Sequence, residues 1–175
     1  MAWSTPMTAT PNTPFTAAQW NAHRDNMLET APAKFTAAGQ LFVSTGANAG
    51  AARAPNSNNV STSETTAATG FTDLTTAGPT VTMTTGGKAL VGVYCSVFSS
   101  GAFNSYMGYE VSGATTQAAD DAHAFLAGTG ANLRGGFARM ELGLTPGSNT
   151  FKAKYRVNGG TSTFLDRQLW VLPLS

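Results

Sequence analysis

Charged residues are scarce in this sequence. They make up 11% of its 175 residues, against about 25% in an average soluble domain. The formal net charge of +1 excludes a protein that wraps nucleic acid, because such binding needs a strong excess of basic residues. Hydroxyl and amide groups must therefore supply most of the surface's hydrogen bonds with water, as is typical of β-rich extracellular proteins and of oligomers.

Cysteine and long hydrophobic runs are scarce as well. The single cysteine, Cys95, excludes an internal disulfide, and its apolar surroundings favour a small buried hydrophobic residue over a reactive thiol. No apolar run approaches the roughly 18 residues of a membrane-spanning helix. The N-terminus has no basic start followed by an apolar stretch. We therefore predict a soluble protein that has no membrane partner and is not exported by a classical signal.

Motifs for catalysis and for binding metals or cofactors are missing. His23 and His123 are far apart in the chain and have no flanking carboxylates at metal-ligand spacing. Asp120 and Asp121 lack the pattern of a calcium loop, and a solvated turn is favoured over half of a glycosidase pair. The sequence also lacks a phosphate-binding loop, a dinucleotide fingerprint and a nucleophile elbow. We predict no catalytic residue, no metal, no cofactor and no enzymatic activity.

A short helix is predicted near the N-terminus, after a Pro-rich start that should be extended. Thr16 is placed as an N-cap with Gln19 three residues later, and Phe15 and Trp20 occupy the two positions of a hydrophobic staple. The helix should cover residues 17–29, because a proline follows shortly afterwards.

This helix is a candidate attachment device. A helix of about 13 residues is marginal by itself, so it needs a partner in its own head domain, in a second copy or in a larger assembly. We assign residues 1–35 to an N-terminal arm and attachment helix. The candidate attachment residues are Phe15, Trp20, Arg24, Met27 and Leu28.

Residues 36–60 form a segment of small residues, which we assign to a stalk or linker. One short strand over residues 40–45 ends at Gly46. A strand of this length is not stable alone. Pairing with symmetry mates in a trimeric stalk and a flexible linker are both open.

Residues 61–175 change to repeated short strands separated by Gly, Pro, Ser and Asn, which predicts an antiparallel sandwich or barrel. The strand pattern is clearest in residues 150–157 and 164–174. These two strands should pair with each other, connected by the turn at residues 158–161. In the longest strand Cys95 shares one face with three valines, and Tyr94 shares the other face with Leu90 and Phe98. The remaining expected strands cover residues 61–64, 69–74, 80–85, 89–99, 105–111, 123–128 and 135–144.

A row of cations is the candidate surface-binding site. Lys152, Lys154 and Arg156 alternate with apolar residues and therefore share one face of a strand. This face could contact anionic wall polymers. The alternative, which we favour, is the ordinary wet side of a strand with Glu141 and Asp166 as ion-pair partners. Three more arginines lie in the same third of the chain: Arg134, Arg139 and Arg167.

Several stretches resemble proteins of bacterial viruses. Residues 15–28 resemble a segment near the start of tail and fibre proteins from phages of actinobacteria, where a Thr-led helix carries Asn, His and Arg-Asp-Asn. Residues 38–53 resemble the short Gly-x-Leu-x-Val-x-Thr-Gly module that follows such helices. Residues 72–74 and 143–157, with the final strand, resemble the jelly-roll heads of phage fibres, which are similar in outline to trimeric tumour necrosis factor-like domains.

The resemblance implies an all-β jelly-roll head on a short helix and a stalk, in a homotrimer located in the virion. It implies a trimeric tail fibre or minor tail component that joins other virion proteins through its N-terminal segment and binds a host cell-wall glycan. A capsid decoration or spike protein of the same fold is the alternative. A second alternative is a polysaccharide-cleaving enzyme with a site between subunits. The candidate trimer contacts are Tyr94, Phe98, Tyr106, Tyr109 and Trp170.

Overall fold

The structure is a computed structural model that describes residues 13–28, 34–47, 49–128 and 132–175. The chain divides into two units, residues 1–54 with Ser175 and residues 55–174. Most of the predicted extended arm, and Glu29 at the predicted end of the helix, lie outside the described residues.

The helix α1 (Ala17–Leu28) begins where the sequence predicts. The backbone N–H of Thr16 donates to Gln19 Oε1 at 2.7 Å, and the N–H of Gln19 donates to Thr16 Oγ1 at 3.2 Å. The rings of Phe15 and Trp20 lie 5.3 Å apart between centroids. The predicted capping box and hydrophobic staple are both confirmed. The two hydrogen bonds satisfy N–H groups at the helix start, and the ring contact fixes the entry of the chain.

Strands β1 (Leu41–Gly46) and β2 (Ala49–Arg53) form an antiparallel hairpin. The ring of Phe42 lies over Gly50, where a Cβ atom would come within 2.2 Å of it. Phe35 packs against the same ring edge-to-face, with centroids 6.5 Å apart. The predicted strand is therefore paired within its own chain, which neither a stalk of symmetry mates nor a flexible linker anticipates.

The second unit is an antiparallel β-sandwich, which confirms the predicted fold class. One sheet has the order β5-β10-β7-β8, and the other has the order β3-β11-β6-β9, with β4 also paired to β11. Successive strands from β4 onward cross between the sheets except β7 and β8, which gives the jelly-roll arrangement. The strands are β3 (Asn56–Val60), β4 (Glu64–Thr66), β5 (Thr80–Thr85), β6 (Ala89–Ser99), β7 (Ser105–Gly113), β8 (Ala124–Ala127), β9 (Asn132–Glu141), β10 (Gly147–Val157) and β11 (Ser162–Pro173).

Three sequence-based expectations differ from this topology. The pairing of β10 with β11 was wrong, because β10 lies between β5 and β7 while β11 lies in the opposite sheet. Residues 69–74 contribute one isolated bridge, from Thr72 to Tyr155, instead of a strand. Strand β3 pairs with β11, so five residues assigned to the stalk belong to the sandwich. In each case the pattern indicates extended backbone but carries no information about the partner strand.

The core lies between the two sheets. Cys95 is fully buried, and burial raises the pKa of its thiol to about 12, as expected for a buried hydrophobic residue. It shares the inner face of β6 with Val91, Val93 and Val97, which are also buried. The opposite face of β6 is the outer surface of its sheet. The large side chains that complete the core include Met107, Tyr109, Phe151, Tyr155, Phe164 and Leu169.

Candidate functional site

The outer face of the β3-β11-β6-β9 sheet carries exposed apolar side chains. Tyr94, Phe98 and Met140 point outward from β6 and β9 and are 36%, 49% and 50% exposed. Leu142, which follows β9, is exposed as well. Leu133 is also exposed, but it pairs with Val97 and so belongs to the inner side of the sheet edge. The four outward residues, Tyr94, Phe98, Met140 and Leu142, are called the β6–β9 patch. Large contiguous patches of exposed apolar groups mark interaction surfaces in soluble proteins, so this face is the candidate interaction surface.

The β6–β9 patch is poor in charge. One ion pair lies within it, because Arg134 on β9 is opposite Ser96, between Tyr94 and Phe98. The side chains of Arg134 and Asp166 on β11 are 3.1 Å apart and remain largely exposed. Tyr94 lies opposite Gly136 on β9 and Gln168 on β11. Aromatic and Met side chains with few charges are the composition that distinguishes the centre of protein interfaces.

Trp170 lies beside this patch, on the half of the same face that β3 and β11 form. It is half buried, and its indole packs on Gly92, where a Cβ atom would come within 2.2 Å of the ring. A groove of about 360 Å³ adjoins it. The groove is lined by Pro55, Asn56, Ser57, Gln168 and Trp170.

The five candidate trimer contacts do not share one surface. Tyr94, Phe98 and Trp170 lie on the outer face just described. Tyr106 lies on the outer face of the other sheet, where the guanidinium of Arg156 sits 3.8 Å from its ring centroid. Tyr109 is fully buried in the core. The assignment of Tyr106 and Tyr109 to the same contact surface as the other three was therefore wrong. Strand parity in the sequence does not reveal which of the two faces is inward.

The row of cations lies on the outer face of the β5-β10-β7-β8 sheet, as predicted, but acidic residues neutralise it. Lys152 Nζ is 2.7 Å from Asp73, and Lys154 Nζ is 3.2 Å from Asp73 and 3.1 Å from Glu110. Partial burial raises the pKa of Asp73, but the hydrogen bonds from both lysines outweigh it and leave that pKa lowered. Burial lowers the pKa of Lys154, but its hydrogen bonds to Glu110 and Asp73 outweigh burial and leave that pKa raised.

Arg156 completes this row and is held most firmly. Its Nε donates to Asp121 Oδ1 at 2.8 Å, and a second nitrogen bonds the other carboxylate oxygen of Asp121. The guanidinium also stacks on Tyr106 and lies 5.5 Å from the ring centroid of Phe71. The favoured interpretation as a paired strand face thus fits, but the predicted partners Glu141 and Asp166 were wrong.

Asp120 and His123 belong to a second polar cluster that the sequence did not indicate. Asp120 caps the 3-10 helix Asp121–His123, and its carboxylate bonds both the backbone N–H and the ring Nδ1 of His123. On the other side, His123 Nε2 is 3.5 Å from Glu141 Oε1. A solvated turn describes this segment incompletely, because its carboxylates hold a histidine and an arginine.

Glu141 is the buried centre of that cluster. It accepts a hydrogen bond from the hydroxyl of Tyr109, and Arg139 Nε lies 3.3 Å away. Burial first, and then the bond to Glu141, raise the pKa of Tyr109. The cluster ties β7 and β9 together where the sheets meet. Among the described residues no group of three His, Cys, Asp or Glu side chains could hold a metal ion.

The candidate attachment residues are mostly exposed. Phe15, Trp20 and Met27 are 53%, 60% and 59% exposed. Arg24 pairs with its neighbour Asp25 at 2.9 Å. The side chain of Leu28 lies outside the described residues. Within the described part of this unit, Phe15 and Trp20 are not packed into a core. Their exposure at the helix start is compatible with contact to a partner.

Comparison with models of known protein families and with curated proteins finds no match for this chain. Over the described ranges, no helix has the length and apolar character needed to cross a bilayer.

Proposed function

We propose that this chain is a structural protein of a phage particle, a trimeric tail fibre or minor tail component whose β head is presented for binding to the host surface. The observation that carries the proposal is the β6–β9 patch. Tyr94, Phe98 and Met140 stay exposed on a sandwich whose own core is complete. The resemblance of the sequence to fibre heads supplies the stoichiometry of three.

Association of copies through this patch has a physical basis. Each apolar side chain removed from water contributes about 25 cal/mol per Å² of covered area. The face carries few charges whose desolvation would oppose this gain. The opposite outer face is unsuited to the same role, because Lys152, Lys154 and Arg156 are already paired there with acidic residues of the same chain.

The oligomeric mass tests the proposal. Light scattering on the full chain should give three times the 18.0 kDa chain mass. Phe98→Asp and Met140→Asp should each lower the mass towards one chain, because a carboxylate in the contact would be buried without a partner. Leu126→Asp is the matched control, since Leu126 is 50% exposed on β8 of the other sheet and should leave the mass unchanged.

A stable monomer of the unsubstituted chain would contradict the proposal, and so would equal loss of mass in the Leu126 control. Location is tested separately by labelling the protein on intact particles. Label on the tail agrees with the proposal, whereas label on the capsid favours a decoration or spike protein.

A further inference from the structure

We infer that the groove beside Trp170 binds a neutral sugar. The inference rests on the proposed role of the head in host-surface binding and names the ligand class and the residues for it. The groove measures about 360 Å³, which is within the range of about 300 to 1,000 Å³ for small-molecule sites.

The chemistry of the lining selects the ligand class. Asn56 and Gln168 supply amide donors and acceptors, and Ser57 supplies a hydroxyl. Trp170 supplies a broad apolar surface with one polar N–H. A sugar ring has matching parts, because its hydroxyls exchange hydrogen bonds with amides and its C–H faces pack on an aromatic ring. None of the lining residues is ionisable, so a neutral sugar fits better than a phosphate or a carboxylate.

The lining is held by the sheet and requires little ordering on binding. Ser57 and Trp170 are direct partners in the β3–β11 ladder, and Gln168 is partnered by Asn59. Contact with Gly92 fixes the indole on one side. Side chains carried by paired strands lose less conformational entropy on binding than side chains on free loops.

The groove and the β6–β9 patch occupy different parts of one face. The groove involves β3 and β11, whereas the exposed patch residues lie on or beside β6 and β9. Gln168 borders the patch, because it pairs with Tyr94, whereas Asn56 and Ser57 lie on β3, on the far side of β11. Subunit contact through the patch therefore leaves the β3 side of the groove for the sugar. The paired cations on the other sheet take no part in this site.

Calorimetric titration of the full chain with maltotriose, mannotriose, galactotriose and the trimer of N-acetylglucosamine tests the inference. At least one of these probes should bind. Affinity should change less than twofold between about 0.1 M and about 1 M salt, because screening acts on charges only. Gln168→Ala should weaken binding about tenfold through a lost hydrogen bond, and Trp170→Leu should abolish it. Leu126→Ala, on β8 of the other sheet, should bind as the unsubstituted chain does.

Failure of all four probes to bind would overturn the inference. Binding that is strongly salt-dependent, or whose affinity is unchanged in a Gln168→Ala variant with unchanged circular dichroism, would also overturn it. Light scattering on the same samples separates this outcome from the proposed function. A trimer that binds no sugar would refute the sugar site but not the trimer. A monomer that still binds sugar would refute the trimer but not the sugar site.

Discussion

Asp166 decides which side chains of β11 face the core. Its φ of 50° lies in the left-handed region, where Asp is tolerated better than most residues. The pairing with β6 shifts between Leu165 and Gln168, so the strand contains a bulge. Counting from the buried Phe164, simple alternation would place Arg167 outside. The extra residue turns it inward, and it is fully buried.

Buried Arg167 is held by several partners. One nitrogen donates to Thr62 Oγ1 at 2.9 Å, and another lies 4.0 Å from the carboxylate of Glu64. The guanidinium also sits 5.4 Å from the ring centroid of Tyr155. In the sequence this arginine belongs with the other cations of the C-terminal third, and the bulge is why the fold separates it from them.

Arg167→Ala should lower the free energy of unfolding by about 3 kcal/mol, because it leaves a cavity and removes the hydrogen bonds that its neighbours receive. The stability of Arg167→Lys should lie between those of the unsubstituted chain and Arg167→Ala, since an ammonium group does not reproduce the planar fork of donors. Urea denaturation measures both changes. Arg134→Ala is the control, because its exposed ion pair with Asp166 should contribute less than about 1 kcal/mol. Equal losses at the two arginines would refute the structural role of Arg167.

At the scale of elements, the contact between β6 and β11 sets the shape of the candidate sugar site. The indole of Trp170 lies over Gly92 of β6, where a Cβ atom would come within 2.2 Å of the ring. The two residues are directly paired in the ladder. A side chain at this position would push the ring towards the groove, so the absence of a Cβ is what permits the observed arrangement.

Gly92→Ala should therefore destabilise the sandwich by about 1 to 3 kcal/mol through overpacking and should alter the fluorescence of Trp170. Thermal denaturation and the emission spectrum provide the two measurements. Gly143→Ala is the matched control, since a Cβ there meets nothing within 4 Å, and it should change stability by less than about 1 kcal/mol. An unchanged spectrum in Gly92→Ala would show that the ring does not lie where the structure has it.

For the whole molecule, the proposed function assigns particle attachment to the first unit and host binding to the second. The sandwich begins at Pro55, and its core is drawn from its own strands. The first unit exposes Phe15, Trp20 and Met27. This distribution agrees with an N-terminal segment that joins other particle proteins and a head that folds by itself.

Deletion of residues 1–28 should leave a folded, soluble head that no longer joins particles. The head should keep its β-type circular dichroism and its melting temperature within a few degrees. Particle incorporation is measured by sedimentation with purified particles, and Arg24→Ala serves as a milder variant that removes a pair exposed on the helix. A head that unfolds on this deletion would show that the helix stabilises the fold instead of attaching it.

Local patterns in the chain anticipated much of the fold. Strands β5 and β6 have the predicted bounds, and the capping box at Thr16 forms as expected. These features depend on neighbours within a few residues, so periodicity and capping chemistry suffice to find them. For the candidate sites, the sequence indicated the outward position of Tyr94 and the shared face of Lys152 and Lys154, but not the groove.

What the sequence determined by itself is the set of extended segments, their two faces and the helix start, because each follows from side chains a few positions apart. Only the tertiary structure decided which strands are partners. It brought Ser57 beside Trp170, gave Arg156 the carboxylate of Asp121 and placed β10 and β11 in opposite sheets. These contacts join residues that are remote in sequence or separated by a strand crossing, and they depend on how apolar faces fill one core, which no local pattern encodes.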